Sequence, residues 1–391
     1  MSKANIDTAV GGNREIDGGE LIAQGGYGCV YYPGIKCPGR KGNYEKYATK
    51  LEVDNSSLKN EIAISLIIRK IENYKKFFVP ILKSCPIKLT SFKDMDVDIE
   101  KCEVVDKNIG AEFVLIYMQY IKGKDLFDII NDIFRAGYKL DQKRSNIVSR
   151  QLMYYYKYLL EGLTLLLTKD IVHMDLKRDN IRITSINKKL SRALIIDFGL
   201  SLNIRNIIEL LKGEDSEFIL YELRKSFIAY APDVDYWPLE VHFISYILFK
   251  NEDNNAILLN RENIKYVIES IIGENKIYSK LSNEYKVLLR TQGTDFMNSF
   301  IGRSNLYVIR ELISYYSTWD NFSLSIMYFR ILNDINDIMD KQNVETDNVK
   351  KFKSISDILL LNISMDPRKR LSILDTKVQI FGENKKRSLF L

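Results

Sequence analysis

The chain predicts an α+β fold, with short strands gathered towards its start and helices filling the remainder. Three observations carry this. Between residues 20 and 118 the apolar residues come in short runs, rich in Val, Ile, Tyr and Phe and broken by Gly or Pro, as in strands. Further on they recur at helical spacing, most plainly at Leu152, Tyr155, Leu159, Leu163 and Leu166, and again at Ile264, Val267, Ile268 and Ile271. Between these stripes lie two brief apolar runs, Ile171-Val172 and Ala193-Leu194-Ile195-Ile196. Each leads straight into a polar turn bearing aspartate, which is how a buried strand holds a carboxylate fixed by packing yet open to a ligand.

In chain order, residues 1–18 are polar and Gly-rich and are expected to pack loosely, with 1–12 as a flexible end. Residues 20–32 read as strand, glycine turn, strand. The backbone N–H groups of such a hairpin can approach phosphate oxygens with no Cβ in the way. Residues 47–51 form a strand carrying Lys50. Residues 57–68 begin polar and continue as a helix with one apolar face, with Glu61 near the start, where a carboxylate suits the helix dipole. Residues 77–82 and 111–118 read as two strands, with the charged stretch 91–108 looping out between them. Asp125 is placed to cap a helix over 126–135. The helix over 146–169 is a core stripe that delivers the chain to His173. After Gly199 a polar segment runs to Trp237, with Tyr230, Tyr236 and Trp237 as its expected aromatic anchor.

Composition excludes several classes. Hydrophobic residues at 46% and charged residues at 28% describe an ordinary globular protein, and 391 residues suffice for two lobes or one domain with large insertions. A net charge of +6 is mild at this size, so no nucleic-acid partner is expected. No apolar run approaches the roughly 20 residues of a membrane span. Cys29, Cys37, Cys85 and Cys102 show no C-x-x-C pairing and only two histidines could join them, so reduced thiols in a cytoplasmic protein are expected rather than a zinc site.

The two aspartate turns carry the chemistry. In His173-Met174-Asp175-Leu176-Lys177-Arg178-Asp179-Asn180, Asp175 can take a proton from an attacking hydroxyl. Asn180, with Asp197 of Asp197-Phe198-Gly199, offers oxygens to Mg²⁺. Lys177 alternates back to the side of Asp175 and can meet a transferring phosphoryl group. H-x-D-L-K-x-x-N followed by D-F-G resembles the catalytic core of the eukaryotic-type protein kinase superfamily. The resemblance implies a small β-rich lobe over 13–118 and a larger helical lobe over 119–391, with ATP and Mg²⁺ as cofactors. Lys177 at that spacing resembles serine/threonine kinases, so the implied partners are protein substrates with Ser or Thr acceptors.

The same resemblance assigns further positions. Ala23, Gly25, Gly28 and Val30 match the G-x-G-x-x-G-x-V loop, with Ala23 in the first glycine's place. Ala48 and Lys50 match A-x-K, and Glu61 becomes the partner of Lys50, holding the α- and β-phosphates. Met118 stands at the back of the adenine pocket, Gln119, Tyr120 and Ile121 offer backbone groups to the base, and Asp125 meets the ribose. Pro238-Leu239-Glu240 is a variant of A-P-E, Trp319-Asp320 opens the central helix, and Asp366-Pro367-Arg368-Lys369-Arg370 matches D-P-x-x-R. Glu240 and Arg370 are then expected to pair. The long gap from Glu240 to Asp320 makes residues about 245–312 a helical insertion. Met174 replaces an arginine that in many kinases binds a phosphate on the segment after D-F-G, with Arg224 or Lys225 as possible substitutes. The runs 25–33, 73–78 and 236–242, and an abundance of Ile, Lys, Asn and Tyr, resemble kinases of large nucleocytoplasmic DNA viruses, implying host cytoplasm or virion as location. The rival readings are a pseudokinase-type binding or scaffolding module and a small-molecule kinase.

Overall fold

The computed structural model describes residues 19–382 except Tyr27, 41–42, 95–96, 98, 136–141, 188–189, 251–258 and 342–346. The expected loose N-terminus lies outside these residues. The chain divides into two compact units, residues 1–58 with 81–120, and residues 59–80 with 121–391.

The first unit is an antiparallel sheet of β1 (Glu20–Gly25), β2 (Gly28–Tyr32), β3 (Tyr47–Val53), β4 (Lys83–Ile87) and β5 (Phe113–Gln119), in the order β1-β2-β3-β5-β4. Alternation along the strands sorts the residues by face. Cys29, Tyr31, Leu51, Cys85, Leu115 and Tyr117 are buried with Phe92 and Val104, the latter on the short helix α2 (Glu103–Lys107). Gly28 is demanded by this sheet, because a Cβ there would stand 2.5 Å from the Leu51 carbonyl oxygen. Gly25 and Gly26, in contrast, have open space where a Cβ would be.

All four cysteines are disulfide-bonded, Cys29 to Cys102 and Cys37 to Cys85, which corrects the expectation of reduced thiols. Their separations of 73 and 48 residues put the partners far apart in the chain, and only the sheet brings them together. Closing the longer loop removes chain entropy from the unfolded state worth about 4 kcal/mol. Thermal melting in excess dithiothreitol is therefore expected to fall by several degrees. Cys102→Ser should melt lower without reductant and be less sensitive to its addition.

The expected strand over 77–82 is absent from the sheet. Pro80 lacks a donor for a ladder. Phe78 makes one parallel bridge to Ile195 instead, with its ring against Phe198, so residues 81–82 stay with the first unit, while 77–80 belong to the second. α1 (Ser56–Ile68) leads towards it, burying Ile64 and Ile68.

The rest of the second unit contains β6 (Gly123–Asp125), α3 (Leu126–Arg135), α4 (Gln142–Leu167), β7 (Ile171–Val172), β8 (Ile181–Asn187), β9 (Leu190–Ile195) and β10 (Leu202–Asn203). Then follow α5 (Ile204–Leu211), α6 (Ser216–Ser226), α7 (Leu239–Phe249), α8 (Arg261–Glu274), α9 (Asn283–Asn298), α10 (Asn305–Ile313), α11 (Trp319–Lys341), α12 (Asp347–Asn362) and α13 (Ile373–Phe381). Leu152, Tyr155, Leu159, Leu163 and Leu166 are buried along one side of α4, and Ile264, Val267, Ile268 and Ile271 along α8. Among the described residues no helix is long and apolar enough to cross a membrane.

One buried group makes this core sensitive to acid. His242 on α7 is fully buried, and burial pushes its imidazole down to about 4 from an ordinary 6.5. A depressed pKa contributes stability that is present above about pH 6.5 and lost as pH falls towards 4, up to roughly 3 kcal/mol. Urea midpoints should fall between pH 7 and 5 in the wild type, and fall less in His242→Leu.

Candidate active site

The sheet of the first unit gathers its candidate residues on one face. Ala23 is opposite Val30, Val30 opposite Lys50, and Ala48 opposite Met118. Opposed residues of an antiparallel pair project to the same side, and Ala48 and Lys50 are two apart on β3, so these five form one patch. It lies on the side away from the disulfides. Lys50 pairs with Glu52, two residues along the same strand. Glu61, the partner expected from sequence, belongs to the second unit. Tyr120 is committed within the first unit: its amide donates to the Lys46 carbonyl at 3.0 Å and its ring stacks on Tyr32.

In the second unit the turn after β7 is held from below by Asp320. Its buried carboxylate accepts from the amides of His173 (2.8 Å) and Met174 (3.2 Å), and burial raises its pKa above the ordinary aspartate value. Met174 has φ 66°, a left-handed conformation costing a residue with a Cβ about 1–2 kcal/mol. Asp320 on its amide and the Trp237 indole on its carbonyl, at 2.9 Å, fix that conformation. His173 Nδ1 accepts from the Asp175 amide and Nε2 donates to the Ile196 carbonyl, tying this turn to the next.

Asp175, 6% exposed, is the meeting point. Lys177 Nζ lies 3.0 Å from each of its oxygens, Asn180 Nδ2 donates to Oδ2 at 2.7 Å, and the Tyr236 hydroxyl donates to Oδ1 at 2.5 Å. Sequence placed Lys177 on the side of Asp175 and gave Asn180 a metal-binding role, without their bonds to this carboxylate. Tyr236 was read only as an aromatic anchor, and nothing in its spacing announced the contact. Its backbone is pinned from two sides: Ser323 of α11 donates to the Tyr236 carbonyl at 2.7 Å, and Asn275 donates to the Asp235 carbonyl at 3.0 Å. Asn275 lies in the stretch read as an insertion, which thus reaches the site.

Asp197 has φ 64° and accepts from the Gly199 amide. A Cβ built on Gly199 would stand 3.3 Å from Asp197 Oδ1 and 3.5 Å from Glu61 Oε2, so two carboxylates converge on this glycine. Asn60 clips α1 to the same turn by donating to the Ser201 carbonyl at 2.9 Å. Asn180 spends its NH₂ on Asp175, which leaves its carbonyl oxygen as a ligand. One carboxylate and one amide oxygen suit Mg²⁺, which keeps several waters and takes its remaining ligands from phosphates. Among the described residues no cluster of three or more His, Cys, Asp or Glu offers an all-protein cage.

Asp125 caps α3, accepting from the Asp128 amide at 2.7 Å, and Arg182 lies 3.8 Å away. Ile121, two residues before β6, is half-buried. The segment after Gly199 is built from α5 and α6, capped by Asn203 and Asp215. Arg224 donates to the Leu248 carbonyl and Lys225 pairs with Glu222, so both already have partners. Glu240 and Arg370 make a two-fold ion pair at 2.8 and 2.9 Å, both side chains fully buried. The Trp319 indole also donates to Glu240, and Arg370 donates to the Ser364 carbonyl.

Residues 19–381 match the sequence profile of the family described as protein kinase domain. Over 139 residues the chain is 30% identical to death-associated protein kinase 2 of mouse, and equally to that of human, covering 34% of this chain and 33% of each relative. Over 135 residues it is 33% identical to striated muscle preferentially expressed protein kinase of zebrafish, covering 32% of this chain and 4% of that protein. The matched part thus spans about a third of the first relatives' length.

Proposed function

Since the chain belongs to the protein kinase domain family, we propose that it transfers the γ-phosphoryl group of ATP to serine or threonine hydroxyls of protein substrates. The observation that carries this is the arrangement on Asp175: a fixed carboxylate with Lys177 and Asn180 directed onto it. Asp175 Oδ1 orients the substrate hydroxyl and accepts its proton as transfer proceeds. Lys177, already beside that carboxylate, neutralises charge on the moving phosphoryl group. Asn180 and Asp197 are the residues that would hold Mg²⁺, which would supply positive charge to offset that of the phosphates. On the sheet, Ala23, Val30, Ala48 and Met118 form the apolar part of the nucleotide's bed, with Gly25 leaving room for phosphates and Lys50 meeting them.

The choice of Ser/Thr rests on Lys177 at its spacing from Asp175. A place among kinases of large nucleocytoplasmic DNA viruses, in host cytoplasm or virion, rests on the sequence runs quoted above and belongs to the same proposal.

Single-turnover transfer from γ-labelled ATP to mixed proteins, followed by phosphoamino-acid analysis, tests the reading. Label on phosphoserine or phosphothreonine is expected. Label confined to phosphotyrosine would overturn the specificity. ATP binding without any transfer would favour the scaffolding module.

A further inference from the structure

Beside Asp175, wholly within the second unit, lies a pocket of about 330 Å³ whose lining is unusually basic. Lys177, Arg178, Lys276 and Arg330 face it, against only Asp179 and Asp235. Lys177 is engaged with Asp175. The other three cations come from separate places: Arg178 from the turn after Asp175, Lys276 from the chain after α8, and Arg330 from the middle of α11. Tyr236 and Met327 also line it. A basic cluster assembled from three elements, on a wall shared with the phosphoryl-accepting site, differs from a solvated run of charge along one helix.

The lining carries more positive than negative charge, four cationic side chains against two carboxylates. Arg178 is half-buried with its guanidinium 4.7 Å from the ring of Phe127. Burial raises the pKa of Asp235, against the pull of Arg330, Lys276 and Arg178. Like charges crowded in a half-buried pocket repel one another, and an entering anion relieves that repulsion while gaining charge-assisted hydrogen bonds.

We infer that this pocket binds an anionic side chain of the protein substrate, a carboxylate or a phosphorylated residue, close in sequence to the acceptor hydroxyl. The inference rests on the kinase reading above, and it names the class of substrate. Arg178 and Arg330 supply the planar donors inside the pocket, and the exposed Lys276 draws the anion to its mouth. The crossing of the insertion to this spot acquires a purpose: it contributes Lys276, and Asn275 next to it fixes Asp235.

The test uses the full chain and fluorescent peptides with one central serine, flanked by glutamate, phosphoserine, alanine or lysine. Binding is read by anisotropy and transfer by labelled ATP. Anionic peptides are expected to bind about tenfold or more tighter than the alanine peptide, and lysine peptides more weakly than either. The glutamate and phosphoserine arms separate the two sources of the anion. Arg330→Glu should abolish or invert the preference, and Lys276→Glu, at an exposed position, should reduce it even if the first variant folds poorly. Equal binding of all peptides, or unchanged ranking in a folded Lys276→Glu chain, overturns the pocket. Selective anionic binding with no transfer to any peptide overturns the kinase reading and leaves the pocket standing.

Discussion

Replacing Asp175 with asparagine is expected to lower phosphoryl transfer about 10³-fold while leaving the chain folded. The carboxylate is the common acceptor for Lys177, Asn180 and the Tyr236 hydroxyl. An amide of nearly the same shape retains one acceptor oxygen but cannot take a proton, and general-base catalysis is worth about 10²–10⁴. Part of the loss is positional, because the new NH₂ must face either the Asn180 amide or the Lys177 ammonium, both donors. The measurement is single-turnover rate with saturating ATP, alongside nucleotide affinity. Affinity should hold, since Asp175 is assigned to the acceptor side. A rate within tenfold of wild type would remove Asp175 from the role of base.

Glu240→Ala is expected to cost roughly 3–5 kcal/mol in chemical unfolding, because it strands a charge where water does not reach. Arg370 is fully buried and spends two N–H groups on Glu240. Its remaining bonds, to the Ser364 carbonyl and the Thr318 hydroxyl, involve no opposite charge. The Trp319 indole loses an acceptor in the same step. Arg370→Ala should be similarly costly. The double variant should cost less than the two singles together, since each single leaves one unpaired charge and the double leaves none. Strict additivity of the unfolding free energies would contradict the coupling.

What the sequence made legible were features whose physics is local. The aspartate turns follow two strands of unbroken apolar residues, and the acceptors stand within a few residues of each other, so motif and geometry coincide at Asp175, Lys177 and Asn180. The helical stripes of α4 and α8 were equally local. The Glu240–Arg370 pair spans 130 residues and was reached only through resemblance to a family. The disulfides were missed because cysteine spacing carries no information about which strands a sheet sets side by side. The strand expected over 77–82 failed on a choice of partner that local propensity does not record: Phe77 and Val79 bond to the backbone of Ile195, and the Phe78 ring meets Phe198, instead of joining the first sheet. Gly28 shows the reverse, a residue assigned to ligand approach that the neighbouring strand already requires.

The phenol of Tyr236, held by Ser323 and Asn275 through the backbone, is in effect a tethered competitor for Asp175. A tethered group acts at an effective concentration of millimolar or above, far beyond that of any free protein substrate. On the proposed assignment, an incoming serine must win Oδ1 from this phenol, so only a substrate anchored elsewhere on the surface competes well. Water faces the same contest without such an anchor. Between substrates the enzyme should therefore idle, hydrolysing little ATP, because the oxygen that would activate water is already occupied by its own side chain.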